Sequence, residues 1–255
     1  MPQLGLGNLL SKSSGSLSGY SLNFDGTNDY VDCGTGITDI TSGACTVSGW
    51  YKIKAGYDVA DGNLTFFGRG VGSSTSGYTL KYEDSGGTKR MMLFQTKSGG
   101  YNYIAHNVTL STGAWHHIVW VNGGTGVASS FYINGTQVVT KTHSQDIVSA
   151  SSISFKIGIN EAANQHWAGN IDEVAFWNTA LDADAITAIY NSGTPISLSS
   201  DSGDYDNSSN LQGWWRMGDG TEEASGTTIY DMSTNSNNGT MTNMDATTDY
   251  EKDTP

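Results

Sequence analysis

Between Tyr20 and Trp177 the chain is a succession of short apolar or alternating runs, each ended by Gly, Asn, Asp or Ser. The runs are SLNF, DYVDCG, CTVSGWYKI, LTFFG, YTLKYE, RMMLFQ, YIAHNVTL, WHHIVWVN, SFYING, TQVVTK, ISFKIGIN and NIDEVAFW. A period of two over so many segments predicts an all-β protein, with about a dozen strands folded as a two-sheet antiparallel sandwich. FYINGTQVV is its clearest hairpin, because Asn134-Gly135 suits a type I′ turn in which both central residues need positive φ. In WHHIVWVN the set Trp115, His117, Val119, Val121 faces one side and His116, Ile118, Trp120, Asn122 the other. Both faces are apolar, which marks a central strand, and neighbouring histidines on opposite faces cannot grip one metal ion.

The rhythm changes once, in GNIDEVAFWNTALDADAITAIYNSG. After the strand, Asp182 can cap a helix, Asp184 sits in its first turn, Ile186, Ile189 and Tyr190 recur at helical spacing, and Gly193 permits a left-handed exit. So short a helix must pack on the sandwich to persist. Residues 1–18 read as an arm, 19–196 as the sandwich with its helix, 197–210 as a polar linker, 211–245 as a further strand segment, and 246–255 as an acidic tail without a fold of its own.

Composition narrows the function. With 33 Gly, 13 Tyr and 7 Trp against 3 Pro, tight turns and strands are favoured over long helices. A net charge of −13 argues against nucleic acid as a partner, since phosphate backbones are held by clustered Lys and Arg. No apolar stretch approaches the roughly 20 residues that span a bilayer, and the start MPQLGLGNLLSKSSGS has no basic leader, so the expectation is assembly in the cytoplasm without membrane partners. Cys33 and Cys45 are too few for a disulfide framework; they flank one turn and could bridge neighbouring strands, but free buried thiols are the reading placed ahead of a bridge.

Candidate chemistry points to binding. No E-x-D-x-E, G-x-S-x-G, H-E-x-x-H or phosphate-loop motif occurs. EDSGG at 83–87 and DGTEE at 219–223 read as solvated turns, which would leave their carboxylates unable to act as acids, and GRGVGSS at 68–74 reads as a loop. The expectation is a protein that is not an enzyme. Aromatic faces beside amides suit sugars, and the candidate ligand-binding residues are Tyr101, Asn102, Tyr103, His166 and Trp167. The alternative is that these aromatics fill the core or a subunit interface.

The ordered set SLNFDGTNDYVDCG, CTVSGWYK, GAWHHIVWVNGG, SFYINGTQVV and GNIDEVAFWNTALDADAITAIYNSG resembles the laminin-G-like jelly rolls of the concanavalin A-like lectin and glucanase superfamily. The resemblance implies a jelly-roll fold and a structural Ca²⁺ held by Asp25, Asp172 and the oxygens of Gly26 to Asn28; the alternative is that Asp25 only closes an Asx-turn and Asp172 faces solvent. Strand alternation would send Asp172 and Glu173 to opposite faces, so the two would not chelate together and Asp172 would tie its strand to the Asp25 turn. One departure stands out: LQGWWRMGDGTEEASGTTIYDMSTNSNNGTMTNM resembles the strand and turn that open such domains, yet follows the helix. It either folds back to complete the sandwich within the chain, the expectation here, or adds to another subunit's sheet edge.

MPQLGLGNLLSKS and GWWRMGDGT with NNGTMTNM also resemble segments of virion-associated proteins of marine bacteriophages. That likeness implies a phage structural or capsid-decoration protein, located on the virion, with copies of itself or other virion proteins as partners and host surface glycans as a target. The rival is an extracellular, carbohydrate-binding bacterial adhesin module.

Overall fold

The computed structural model describes residues 19–70, 76–218 and 224–255. The N-terminal arm, the part of the glycine-rich loop from 71 to 74 and the acidic DGTEE stretch lie outside the described residues. In chain order the strands are β1 (Ser21–Asp25), β2 (Tyr30–Asp32), β3 (Cys45–Ile53), β4 (Leu64–Gly70), β5 (Gly77–Ser85), β6 (Thr88–Lys97), β7 (Gly100–Asn107), β8 (Trp115–Asn122), β9 (Ala128–Ile133), β10 (Thr136–Thr142), β11 (Lys156–Ile157), β12 (Ala168–Trp177), β13 (Leu211–Trp215), β14 (Ala224–Ser225), β15 (Thr228–Ile229), β16 (Gly239–Thr242) and β17 (Tyr250–Glu251). One helix, α1 (Ala183–Tyr190), follows β12.

Among the described residues these form two antiparallel sheets stacked as a jelly roll. The first runs β10-β9-β8-β3-β12-β1-β17, with β13 also on β12; the second runs β14-β15-β16-β2-β11-β4-β5-β6-β7. The Asn134-Gly135 turn has both residues at positive φ, 49° and 75°, as a type I′ hairpin requires. Between the sheets lies an aromatic core that includes Phe66, Phe67, Trp120, Phe155, Trp167 and Trp215, all fully buried. Each such side chain contributes roughly 1.5–3 kcal/mol by leaving water, and truncating one to Ala costs about 3–5 kcal/mol.

A second apolar cluster covers the outer face of the first sheet. Val119 on β8 and Ala175 and Trp177 on β12 meet Ala185, Ile186 and Ile189 of α1. Asp182 caps the helix by accepting from Ala185 N at 2.8 Å. The left-handed exit comes two residues earlier than Gly193, at Asn191, whose φ is 43°; asparagine tolerates that conformation because its short side chain can bond locally, here to Thr194 O.

Residues 197–210 are packed where a free linker was expected. Leu198 and Tyr205 enter the cluster under α1, and the Tyr205 hydroxyl accepts from Trp177 Nε1 at 3.1 Å and donates to Leu198 O at 3.0 Å. Two anchors suffice to fix the segment, a density too low for composition to reveal. The stretch from Leu211 onward folds back within the chain: β13 pairs with β12, and β16 pairs with β2 in the other sheet. The final residues also depart from the expected unstructured tail. Tyr250 and Glu251 pair with Leu22 and Ser21, and Asp253 ion-pairs with Lys52. Cys33 and Cys45 are buried free thiols, and burial pushes both thiols above their ordinary range.

Candidate functional site

The strands β5, β6 and β7 form one end of the second sheet, joined by tight turns. Gly86 and Gly87 both adopt positive φ between Ser85 and Thr88, fixing the β5–β6 register. With that register Leu80, Leu93 and Ile104 enter the core, so their neighbours Thr79, Phe94 and Tyr103 point outward. A single rung crosses the outer face from Asp32 through Lys156, Gly68, Thr79 and Phe94 to Tyr103. At its middle the rung is low: a Cβ on Gly68 would come within 2.8 Å of Thr79 Oγ1. At its β7 end it is aromatic, with Phe94 and Tyr101 edge to face at 6.1 Å.

Charged groups on this face are held in place by one another. Glu83 lies 2.6 Å from Lys81 Nζ and 2.7 Å from Arg90. Burial pushes the Glu83 carboxyl up, but the bonds from Lys81 and Arg90 outweigh it and hold the group below its ordinary range. Lys81 also sits 5.1 Å from the Phe94 ring centroid. At the edge, Lys141 reaches from β10 to lie 4.0 Å over the Tyr103 ring and donates to Tyr103 O at 2.8 Å. The arrangement therefore offers flat apolar rings beside donors and an acceptor of fixed position, without a proton donor of raised pKa.

The sequence-derived ligand residues separate into three groups. Tyr101 and Tyr103 share the outer face of β7 and are 48% and 51% exposed. Asn102, between them, turns to the other side and donates to Gln145 O. Trp167 is a correction: it is fully buried in the core against Tyr51 and Phe66, and its indole donates to Asn170 O. His166, bonded to Ala163 O, lies next to it and bridges Ile159, two residues beyond β11, a strand that stands four places or roughly 19 Å from β7 in the sheet. The polar context of Gln165-His166 gave no hint that Trp167 faces inward.

The residues implied for calcium are not assembled either. Asp25 pairs with Ala168, whereas Asp172 lies four residues further along β12, about 13 Å away. Asp25 instead closes its own turn, accepting from Thr27 N and Asn28 N, and Asn28 O accepts from Asn243. Gly26 is needed there for its φ of 85° and because a Cβ would meet Ala168 Cβ at 2.9 Å. The acids that approach Asp25 are Asp29 and, beyond it, Asp249; burial, with the charges of Asp25 and Asp249, raises Asp29 to about 6. Asp172 thus stands apart from the turn that holds Asp25, Gly26 and Asn28, and the four residues do not converge on one cation.

The predicted alternation also fails at the Asp172-Glu173 junction. Ile171 and Val174 both enter the main core, the register against β3 shifts between Asp172 and Ala175, and Glu173 has a φ of 50°. This is a β-bulge. It places the Glu173 carboxylate against Trp214 Nε1 at 2.6 Å and Arg216 Nε at 3.3 Å, tying β12 to β13. Asp172 is fully buried, pairs with Trp50 and accepts from Glu173 N.

A family model described as the concanavalin A-like lectin/glucanases superfamily, of laminin-G type, matches residues 25–187. The chain belongs to this family. Among solved structures, a candidate carbohydrate-binding protein of Bacteroides ovatus is similar at a TM-score of 0.61 and 19% identity, over 87% of this chain and 57% of that one. The chain thus spans little more than half of that protein. The heptameric SAP-like pentraxin of Limulus polyphemus is similar at a TM-score of 0.50 and 17% identity, over 67% of this chain and 81% of that one. Among curated proteins none matches the sequence.

Within this laminin-G-like sandwich, sequence reasoning missed Phe94, Lys81, Glu83 and Arg90. EDSGG was read as a turn, yet Glu83 and Asp84 belong to β5 and only Gly86-Gly87 turn. Glu83 and Arg90 face each other across the hairpin, a pairing available from the sequence by counting outward from the two glycines. No helix among the described residues is long and apolar enough to cross a membrane.

Proposed function

We propose that this domain binds carbohydrate on the outer face of its nine-stranded sheet and does no catalysis. One observation carries the reading: Tyr101 and Tyr103 leave about half of their surface in water, side by side on one face of an edge strand, next to Phe94. Sugars pack on such rings through their C–H faces and take hydrogen bonds from groups at the rim; here Lys81, Arg90 and Glu83 supply them. The family's fold and the described binding role of the Bacteroides ovatus protein support a glycan ligand. Glu83 held ionised by two cations is poorly suited to donate a proton, which favours binding over glycoside hydrolysis.

The test is a glycan array at high valency with the wild-type chain and the Tyr101→Ala/Tyr103→Ala double variant. Binding by the first and its loss, by tenfold or more, in an equally stable variant is the expected result; a blank array, or binding that survives both truncations, removes the proposal. For the setting we propose a virion surface, as the sequence likeness implies, with host-surface glycans as the target and further copies or other virion proteins as assembly partners. Mass spectrometry of purified particles finding the chain at tens to hundreds of copies (estimated from the repetition of shell symmetry) supports that setting; its absence from particles and presence on cells favours the extracellular adhesin.

A further inference from the structure

The strands that carry the aromatic face reverse the charge balance of the chain. Overall, 25 Asp and Glu outnumber 12 Lys and Arg. Between residues 77 and 107 the basic side chains are four, Lys81, Lys89, Arg90 and Lys97, and the acidic ones two, Glu83 and Asp84. Lys141 joins them from β10 by reaching over Tyr103.

The position of each charge decides what the rings meet. Lys81 and Arg90 share the single carboxylate of Glu83, and two cations against one anion leave one positive charge. Lys89 pairs with Asp58 and neighbours Asp84 across the hairpin, five residues or roughly 17 Å along β6 from Phe94, well beyond the Debye length of about 8 Å at physiological salt. Asp146 accepts from the Thr125 hydroxyl, on a loop that Asn102 reaches from the other side of β7. Lys97 follows Thr96, the register partner of Tyr101, and Lys141 is exposed at the sheet edge. Among the described residues neither lysine forms an ion pair.

The rings and the cations are interleaved. Lys141 lies 4.0 Å over the Tyr103 ring, which stays 51% exposed, so a sugar has room beside the ammonium. On the other flank Lys81 lies 5.1 Å from the Phe94 centroid. A neutral sugar offers these cations only hydroxyls, whereas a sugar bearing its own anion forms charge-assisted bonds that are shorter and stronger.

We propose that the aromatic face selects acidic glycans, with a carboxylate or sulfate of the sugar held by Lys141 while its ring packs against Tyr101 and Tyr103. The inference rests on the carbohydrate-binding role of that face. A lysine ammonium is a point charge without the planar fork of arginine, so it takes either anion. The positive charge left over by Lys81, Arg90 and Glu83 serves a further acidic ring of the same chain. The net charge of −13 does not oppose this at physiological salt, because acids more than about 8 Å away are screened.

The test is calorimetric titration of the full chain with oligogalacturonate and with a sulfated galactan oligomer, each against its own neutral form, methyl-esterified or desulfated. The neutral forms keep the sugar rings and linkages and remove only the charge. At least one acidic oligomer is expected to bind about fivefold or more tighter than its neutral form, and that advantage should shrink as salt is raised to about 1 M. Which of the two oligomers wins identifies the anion. Lys141→Gln, which keeps a donor for Tyr103 O, should remove most of the advantage while the melting temperature and neutral binding stay the same. Neutral forms bound as tightly as both acids, or an advantage undiminished by Lys141→Gln or by salt, overturns the inference and leaves the aromatic face standing. Binding that survives Tyr101→Ala/Tyr103→Ala, or no binding of any oligomer, overturns the inference and the aromatic-face reading together.

Discussion

The indole N–H of Trp115 donates to the carboxylate of Asp253 at 3.1 Å, across 138 residues of sequence. With Lys52 on the same carboxylate and Ser21 Oγ donating to Asp253 O, the last turn of the chain is bonded to β1, β3 and β8. Asn23 and Asn170 both donate to Glu251, so the polar end of the chain supplies acceptors for amides that would otherwise line an open edge.

Deleting residues 249–255 should therefore destabilise the domain by about 2–5 kcal/mol, the sum of a few net hydrogen bonds and an uncovered sheet edge. Urea unfolding measures this, with the m-value unchanged if the rest of the sandwich stays folded. A truncated chain as stable as the full one would show the tail contacts to be without energetic weight.

Arg69 is almost fully buried and uses its guanidinium on backbone oxygens: Ile37 at 2.6 Å, Ala150 and Ile153 at 3.0 Å, Ser151 at 3.2 Å and Thr35 at 3.3 Å. It gathers two loops at one end of the sandwich. Arg69→Met should cost about 3–5 kcal/mol by stripping these carbonyls of their donor. Arg69→Lys should rescue little, because an ammonium cannot reproduce the planar fork. Thermal melts of both variants, with hydrogen exchange at residues 35–37 and 150–153, read the outcome.

His117 lies under α1 between Trp50 and Tyr190, with Nε2 2.7 Å from Ser48 Oγ, and burial lowers its pKa from 6.5 to about 3. The unfolded chain then binds more protons than the folded one between those two values, so stability rises with pH across that window and is fully present above it. The difference amounts to about 5 kcal/mol of acid sensitivity at its low-pH limit. His117→Leu should flatten the stability profile between about pH 6.5 and 3, at a fixed loss of about 1–3 kcal/mol from the stranded Ser48 hydroxyl. An unchanged slope in the variant would assign the acid sensitivity to other groups.

Glu83 gives an acid response on the outer face of the nine-stranded sheet. Its folded-state pKa is depressed, so its contribution is present above the ordinary carboxylate value and disappears as pH falls through the lower one. Glu83→Gln should remove that part of the acid response and leave Lys81 and Arg90 facing each other without their shared anion, for a loss of about 1–2 kcal/mol at neutral pH. Stability measured against pH for the two proteins tests both statements.

Much of the fold could be read locally. The Asn134-Gly135 hairpin, the two-faced strand around Trp120 and the Asp182 cap each depend on residues within one or two turns of chain, where steric rules and period decide the outcome. The candidate site was half legible. Tyr101 and Tyr103 stood out as aromatics in a polar setting, but Trp167 looked the same in sequence and is core. What separates them is where the strand lies: β7 is an edge strand with one face in water, while Trp167 immediately precedes β12, a strand buried along its whole length.

The two-layer sandwich, the position of its helix and the alternation of most strands follow from side-chain period and turn stereochemistry, which neighbouring residues set among themselves. That Asp172 and Asp25 stand four residues apart on the β1–β12 ladder, that a bulge turns Glu173 to Arg216, and that Tyr205 and Asp253 are anchors emerges from the folded chain alone. Those outcomes depend on pairing register between strands far apart in sequence. A shift of one residue there reverses which face a side chain meets, and no local pattern encodes it.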